Sequence, residues 1–279
     1  MAQKKATINY IYRVKDNSKK PIGVLDSGVG GITVWAEIVR MLPGQSTVYM
    51  ADTANCPYGP RSHEQIRELT DRCAKKLLEQ DVKLIVVACN TMTAAAIKML
   101  REKYPSVPFV GMEPAIKPAF AATHSGVIGV LATNATLVGP LYNHTLDQFA
   151  GEAKVIEVAG EGLVEMVETS RQDSPECIQL LKFYIDPMIR QGADTLVLGC
   201  THYPFLRESI NLISGGSLQI IDPARAVARR VKQLLEQNDM LAAENSAPEY
   251  NFISTASDKA SLELKERAKN YIFTLQNKD

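Results

Sequence analysis

The chain has 279 residues, 46% hydrophobic and 22% charged, with 31 Lys and Arg balanced by 31 Asp and Glu. That length exceeds the usual domain of ~100–150 residues and can bury a sizeable core without staples. Zero net charge argues against a nucleic-acid or anionic-membrane surface, and no apolar run approaches the ~20 residues that span a bilayer.

Residues 1–20 read as a polar, partly disordered extension. It carries Lys4, Lys5, Arg13 and Lys15 without the apolar core of a secretory signal, so a soluble, cytoplasmic protein is expected. From Pro21 onward short apolar runs alternate with helical stretches. Ile22-Gly23-Val24-Leu25, Thr47 to Met50, Leu84 to Val87 and Phe109-Val110 have the β-branched, turn-bounded character of buried parallel strands. Ile32 to Met41, Ser62 to Gln80 and Thr93 to Lys103 read as the helices between them. This alternation predicts an α/β fold with mainly parallel sheets.

The second half repeats the first. Ile22-Gly23-Val24-Leu25 returns as Ile128-Gly129-Val130-Leu131, followed by Ala132-Thr133 where the first copy has Asp26-Ser27. A strand ending in cysteine recurs, first as Val86-Val87-Ala88-Cys89-Asn90-Thr91 and then as Val197-Leu198-Gly199-Cys200-Thr201-His202. An acid-Pro-Ala turn closes each copy, at Glu113-Pro114-Ala115 and Asp222-Pro223-Ala224. The spacing from first strand to cysteine is 67 residues in one copy and 72 in the other; from cysteine to turn it is 24 and 22. Three anchors in one order at matched spacing predict two similar lobes with pseudo-two-fold character. Beyond the second turn, Ala226 to Asn238 reads as a helix, Glu244 to Pro248 as a linker, Tyr250 to Thr255 as a strand and Ser261 to Tyr271 as an amphipathic helix.

The five cysteines, Cys56, Cys73, Cys89, Cys177 and Cys200, are odd in number and contain no CxxC, which argues against a disulfide framework or a zinc site. Cys73 and Cys177 fall in helical stretches as packing residues, and Cys56 adjoins a turn without an evident partner. Cys89 and Cys200 differ because both stand at strand ends, where open parallel sheets bind ligands. With a helix beginning just beyond, free amides and dipole are expected to lower each thiol toward neutrality. If the lobes face each other, the two thiols lie on opposite sides of one cleft. That arrangement suits stereoinversion at carbon, one thiolate taking a proton from one face while the other thiol returns one to the opposite face.

Asp26-Ser27-Gly28-Val29-Gly30-Gly31 is neither a P-loop nor a dinucleotide fingerprint, since no Gly-Lys-Ser/Thr follows and Thr33 takes the third glycine position. Two readings stand: a tight strand-to-helix turn capped by Asp26, or glycines that admit a substrate while Asp26 supports a thiol or an ammonium group. His202 is placed to shuttle a proton or to stabilise the Cys200 thiolate. Pro57-Tyr58-Gly59-Pro60 is a turn whose amides and Tyr58 hydroxyl suit a carboxylate, or simply a loop. His63, His124 and His144 have no matching context.

The segments Leu25 to Gly31, Pro57-Tyr58-Gly59, Ala88 to Thr91 and Gly199 to Pro204 resemble the motif set of glutamate racemases, within the cofactor-independent aspartate/glutamate racemase family. The resemblance runs in order from Pro21 to Arg230 and implies two α/β domains around a cleft, commonly dimeric, that supply D-glutamate for peptidoglycan. It implies that Cys89 and Cys200 are catalytic acid/base groups, assisted by Asp26 and His202 respectively. Ser27, Tyr58, Gly59, Asn90, Thr91 and Thr201 correspond to substrate contacts, and Glu168 to a further acidic position. His202 favours glutamate over aspartate as substrate, because aspartate racemases usually carry an acid there. No pyridoxal phosphate, metal or other cofactor is expected, and activation by a peptidoglycan precursor is an open expectation. The implied domain plan is an extension over 1–20, lobes over 21–115 and 116–224, and a segment over 225–279 that packs back on the first lobe.

Other readings are a different reaction on this scaffold, such as aspartate racemisation or decarboxylation of a malonate-like acid, a non-catalytic amino-acid-binding protein, and a metal-dependent hydrolase built on Cys200 and His202.

Overall fold

The computed structural model describes residues 17–149, 151, 153–243 and 246–276. Most of the N-terminal extension, with Glu244 and Asn245 of the expected linker, lies outside them. The first half runs β1 (Ile22–Asp26), α1 (Ile32–Met41), β2 (Thr47–Ala51), α2 (His63–Leu78), β3 (Leu84–Val87), α3 (Asn90–Lys103) and β4 (Phe109–Val110). The second half runs α4 (Ile116–Ala122), β5 (Val127–Ala132), α5 (Asn134–Leu137), α6 (Pro140–Asp147), β6 (Lys154–Ala159), α7 (Leu163–Glu168), α8 (Pro175–Arg190), β7 (Thr195–Gly199), α9 (Arg207–Ser214) and β8 (Gln219–Ile221). The chain then adds α10 (Ala224–Gln237), β9 (Tyr250–Ser254) and α11 (Asp258–Gln276).

Two parallel sheets result, ordered β4-β3-β1-β2-β9 and β6-β5-β7-β8. Reversing the second gives β8-β7-β5-β6, the order of β4-β3-β1-β2, so the sequence repeat is a repeat of topology. Every residue of β1, β2 and β3 is buried, as continuous apolar strands in a covered parallel sheet must be. Register aligns the carboxyl ends: Asp26 pairs with Ala51 and Leu25 with Val87, while Ala132 pairs with both Ala159 and Gly199. Asp26, Asp52 and Cys89 therefore emerge at one rim, and Thr133, Gly160 and Cys200 at the equivalent rim of the other sheet.

The C-terminal elements rejoin the first sheet. β9 pairs in parallel with β2, and α10 and α11 pack against α1. Trp35 of α1 anchors this closure, donating from its indole nitrogen to Thr47 Oγ1 at 2.8 Å and meeting Tyr250 and Phe252 edge-on at 5.6 and 5.1 Å. Deleting a buried ring of this kind costs on the order of 3–5 kcal/mol. Arg267 of α11 reaches the other lobe, donating to the carbonyls of Val167 and Glu168 at 2.7 and 3.0 Å and so satisfying the open C-terminal end of α7. Among the described residues no helix is long and apolar enough to cross a membrane.

Two local differences from the sequence reading bear on the site. α3 starts at Asn90, three residues before the expected Thr93, because Cys89 holds extended backbone (φ −141°) and acts as the residue that precedes the helix. Cys200 is followed by a 3-10 turn over Tyr203–Leu206, and the α-helix begins only at Arg207. The two cysteines are thus equivalent by strand position but not by helix geometry.

Candidate active site

The thiols of Cys89 and Cys200 both line a small cavity between the lobes, with Ser27, Pro57, Tyr58, Gly59, Asn90, Thr91, Thr133, Val164 and His202 around them. Each thiol has its own attendants. On the first lobe, Ser27 Oγ lies 3.8 Å from Cys89 Sγ. Asp26, fully buried, accepts the Gly28 amide at 2.9 Å and the Thr201 hydroxyl at 3.3 Å. On the second lobe, Cys200 Sγ lies 3.7 Å from His202 Nδ1, and His202 Nε2 lies 2.6 Å from Glu168 Oε1. The same carboxylate oxygen accepts the amide of Val29 at 2.8 Å, which ties α7 to the first lobe's glycine loop.

Charge is distributed unevenly between the two sides. Burial raises Asp26 to about 6, although His202 and the amides of Gly28 and Gly31 oppose the shift. Against burial, which disfavours the cation, hydrogen bonds to Cys200 and Glu168 hold His202 well above the usual imidazole value. Against burial, which disfavours the anion, His202 holds Glu168 below the usual carboxylate range. His202 is therefore an imidazolium paired with a carboxylate, beside a thiol. Cys89 has the opposite surroundings: burial, then the negative charge of Asp26, push its thiol well up. The expectation that a helix terminus brings this thiol toward neutrality fails, because desolvation and a neighbouring carboxylate outweigh the terminus.

The glycine loop is a tight turn in which Asp26 accepts the Gly28 amide, and it brings the lobes into close approach. A β-carbon at Gly28 would lie 1.9 Å from Glu168 Oε1, and one at Gly30 would lie 2.4 Å from His202 Nδ1 and 2.6 Å from Thr201 Oγ1. These glycines admit side chains of the opposite lobe rather than substrate. The Tyr58 hydroxyl donates to Asp52 Oδ2 at 2.5 Å. Burial and that bond raise its pKa far above the ordinary phenol range, so it stays protonated.

Asn90 brings to this cavity a polar group without a partner in the protein. Its side chain is 2% exposed, yet neither the amide oxygen nor the nitrogen has a hydrogen-bond partner. A buried amide without partners is costly unless something else satisfies it. Thr91 Oγ1 meets Thr133 Oγ1 across the lobes at 2.8 Å, and Thr133 meets Thr136 Oγ1 at 2.8 Å. Every residue proposed from sequence for the site therefore lies on this cavity or in direct contact with a residue that does. Thr133, Val164 and Arg267 were not anticipated. Thr133 was within reach of the repeat, as the counterpart of Ser27; Arg267 had no sequence signal.

Among the described residues one set of side chains has metal-ligand character: the donor atoms of Cys56, Glu168 and His202 lie within 4.8 Å of one another.

A family model described as Asp/Glu/hydantoin racemase matches residues 22–231. The chain belongs to this family. A glutamate racemase of Roseiflexus sp. (strain RS-1) is 48% identical over 233 residues, 84% of this chain and 86% of that protein. The structure of a glutamate racemase isoform from Bacillus anthracis matches with a TM-score of 0.82 at 36% identity, over 91% of this chain and 95% of that one. The Escherichia coli glutamate racemase, solved with L-glutamate and the activator UDP-MurNAc-ala, matches with a TM-score of 0.76 at 32% identity, over 89% and 95%. As a racemase of this family the chain is an isomerase, and its two-lobe α/β fold is the fold of these racemases.

Proposed function

We propose that the chain interconverts L- and D-glutamate by proton transfer at the α-carbon between two thiols, without a cofactor. The observation that carries this reading is the cavity itself, where two cysteines from matched strand ends face one buried, unpartnered amide. Glutamate is the substrate of choice because the relatives are glutamate racemases at 48% identity.

In this mechanism Cys89 and Cys200 stand on opposite faces of the α-carbon. One sulfur, as thiolate, takes the α-proton; the other, as thiol, gives its proton to the far face of the carbanion. The C–H bonding pair stays on the α-carbon as one proton leaves and another arrives, and the two sulfurs exchange protonation states. Asp26, raised to about 6, is mostly ionised at neutral pH and is assigned to assist Cys89. The His202 imidazolium is the partner that a Cys200 thiolate needs, and Glu168 fixes its ring. An α-proton beside an ionised carboxylate is weakly acidic, so the site must stabilise a dianion-like transition state. Preorganised donors at the strand ends, among them Ser27, Asn90, Thr91, Thr201 and the backbone around Gly59, are assigned to that task.

The lobes in this reading are 21–115 and 116–224, with 225–279 completing the first, and two copies form a dimer in the cytoplasm that supplies D-glutamate for peptidoglycan. Activation by UDP-MurNAc-L-Ala, the molecule held by the Escherichia coli relative, is the matching regulatory reading. Unchanged turnover on its addition dismisses that part.

Proton NMR of L-glutamate in D2O tests the reaction, with reduced protein, no added cofactor and a chiral assay alongside. Loss of the α-proton signal with formation of D-glutamate is expected. Thermal stabilisation by glutamate with no α-proton exchange would instead make the chain a binding protein.

A further inference from the structure

Cys56 is absent from the mechanism, yet it stands against the second lobe's proton-handling pair. It follows the 3-10 turn Thr53–Asn55 on the first lobe, half-buried, while Glu168 and His202 belong to the second. One sulfur, one carboxylate oxygen and one imidazole nitrogen all lie within 4.8 Å of one another. Thiolate, imidazole and carboxylate are the ligand types of Zn2+, which is commonly held by three protein groups with a fourth position open.

The distances suit that ion. Tetrahedral bonds of ~2.0–2.1 Å to N and O and ~2.3 Å to S place the donor atoms roughly 3.3–3.6 Å apart. Reaching that geometry needs Cys56 to close by at most about 1.2 Å, and the His202–Glu168 pair to part from 2.6 Å by less than about 1 Å. The charge is favourable as well. Glu168 and, behind it, Asp26 provide a negative surrounding, whereas the nearby cation Arg267 directs its guanidinium to the carbonyls of Val167 and Glu168.

We propose that Cys56, Glu168 and His202 form an inhibitory Zn2+ site that bridges the two lobes. Binding releases the thiol proton of Cys56 and the Nε2 proton of His202, and replaces the His202–Glu168 hydrogen bond with two bonds to the ion. His202 keeps its Nδ1 proton toward Cys200, but its ring is now held by the ion instead of by the Glu168 hydrogen bond, and the lobes are pinned together at the rim of the cavity, which blocks entry and release of substrate. The site regulates the enzyme; it supplies no step of the reaction.

The test uses the full chain with a non-chelating reductant, and Zn2+ titrated in competition with a chromophoric chelator. Wild type is expected to bind one Zn2+ per chain, and Cys56→Ala to bind it at least about tenfold more weakly. Zn2+ should also raise the melting temperature of wild type more than that of Cys56→Ala. Without Zn2+ the variant should racemise normally, and its half-inhibitory Zn2+ concentration should rise by the same factor as its dissociation constant. Equal Zn2+ binding by Cys56→Ala, as follows if the ion sits on Cys89 and Cys200, overturns the proposal; so does failure of wild type to take up Zn2+ at tens of micromolar. The chelator arm needs no turnover, so it stands apart from whether glutamate is the substrate.

Discussion

Gly28→Ala takes the site apart without straining the backbone. A β-carbon there would lie 1.9 Å from Glu168 Oε1 and 2.7 Å from Glu168 Cδ. The Gly28 backbone lies outside the left-handed region, so alanine meets no backbone strain. The obstructed atoms are the end of a flexible side chain, which can swing away without a shift of the backbone. What swings away is the oxygen that accepts Val29 at 2.8 Å and partners His202 at 2.6 Å. Hydrogen bonds to charged groups contribute about 1.5–3 kcal/mol each, so the closed site loses roughly 3–6 kcal/mol. At about 1.4 kcal/mol per factor of ten, kcat/KM should fall about a hundredfold to ten-thousandfold. These bonds belong to the folded state, so the melting temperature should fall as well, by about 2–4 °C for each kcal/mol lost. The assay is chiral quantitation of glutamate in both directions, with thermal unfolding of the same samples. In a Glu168→Ala background, adding Gly28→Ala should cost little more, because the clash partner is gone. Activity within about threefold of wild type, or losses that multiply in the double variant, would refute the reasoning.

Other outcomes follow from the same site. The folded-state pKa of Asp26, raised to about 6, means that its contribution to stability is present in full below its ordinary value of 3.8 and is lost as pH rises through about 6. That share amounts to about 1.5 kcal/mol between pH 5 and 8, and Asp26→Asn should remove it, giving a flatter curve of melting temperature against pH; an unchanged slope contradicts the assignment. Asn90→Ala removes an amide that bonds to no protein atom, so KM should rise about tenfold with less than ~1 kcal/mol change in stability. A large fall in melting temperature at constant KM would make Asn90 structural. Arg267→Ala should loosen the end of α7 and lower kcat/KM at least about tenfold, with partial recovery in Arg267→Lys, which keeps one donor for the carbonyls. Equal activity of all three forms contradicts a positioning role.

Much of this site was legible because the chain states its plan twice. β1 and β5 announce themselves as apolar, glycine-containing runs, and the cysteines stand out only when the two copies are laid side by side. The exposed edge was harder to read: β6 is only half-buried, with neither a continuous apolar run nor a clean alternation to mark it. Glu168 came from resemblance alone, since its partner His202 lies 34 residues away on another element. Arg267 is 99 residues from the carbonyl it holds, and no local pattern encodes such a contact. The protonation of Cys89 was misjudged for a related reason. Its place before a helix is written in the sequence, whereas its burial beside Asp26 exists only once the sheet has formed. Likewise the glycines of the first loop left two readings open, a tight turn or space for a ligand, and neither foresaw that Glu168 and His202 of the other lobe pack against them.

The central claim is that two thiols act from opposite faces of one carbon. Its most direct test is racemisation of L- and of D-glutamate by Cys89→Ser and by Cys200→Ser, each shown to be folded by its unfolding transition. Loss of racemisation in both variants and in both directions is the expected result. Full activity in either variant contradicts the account.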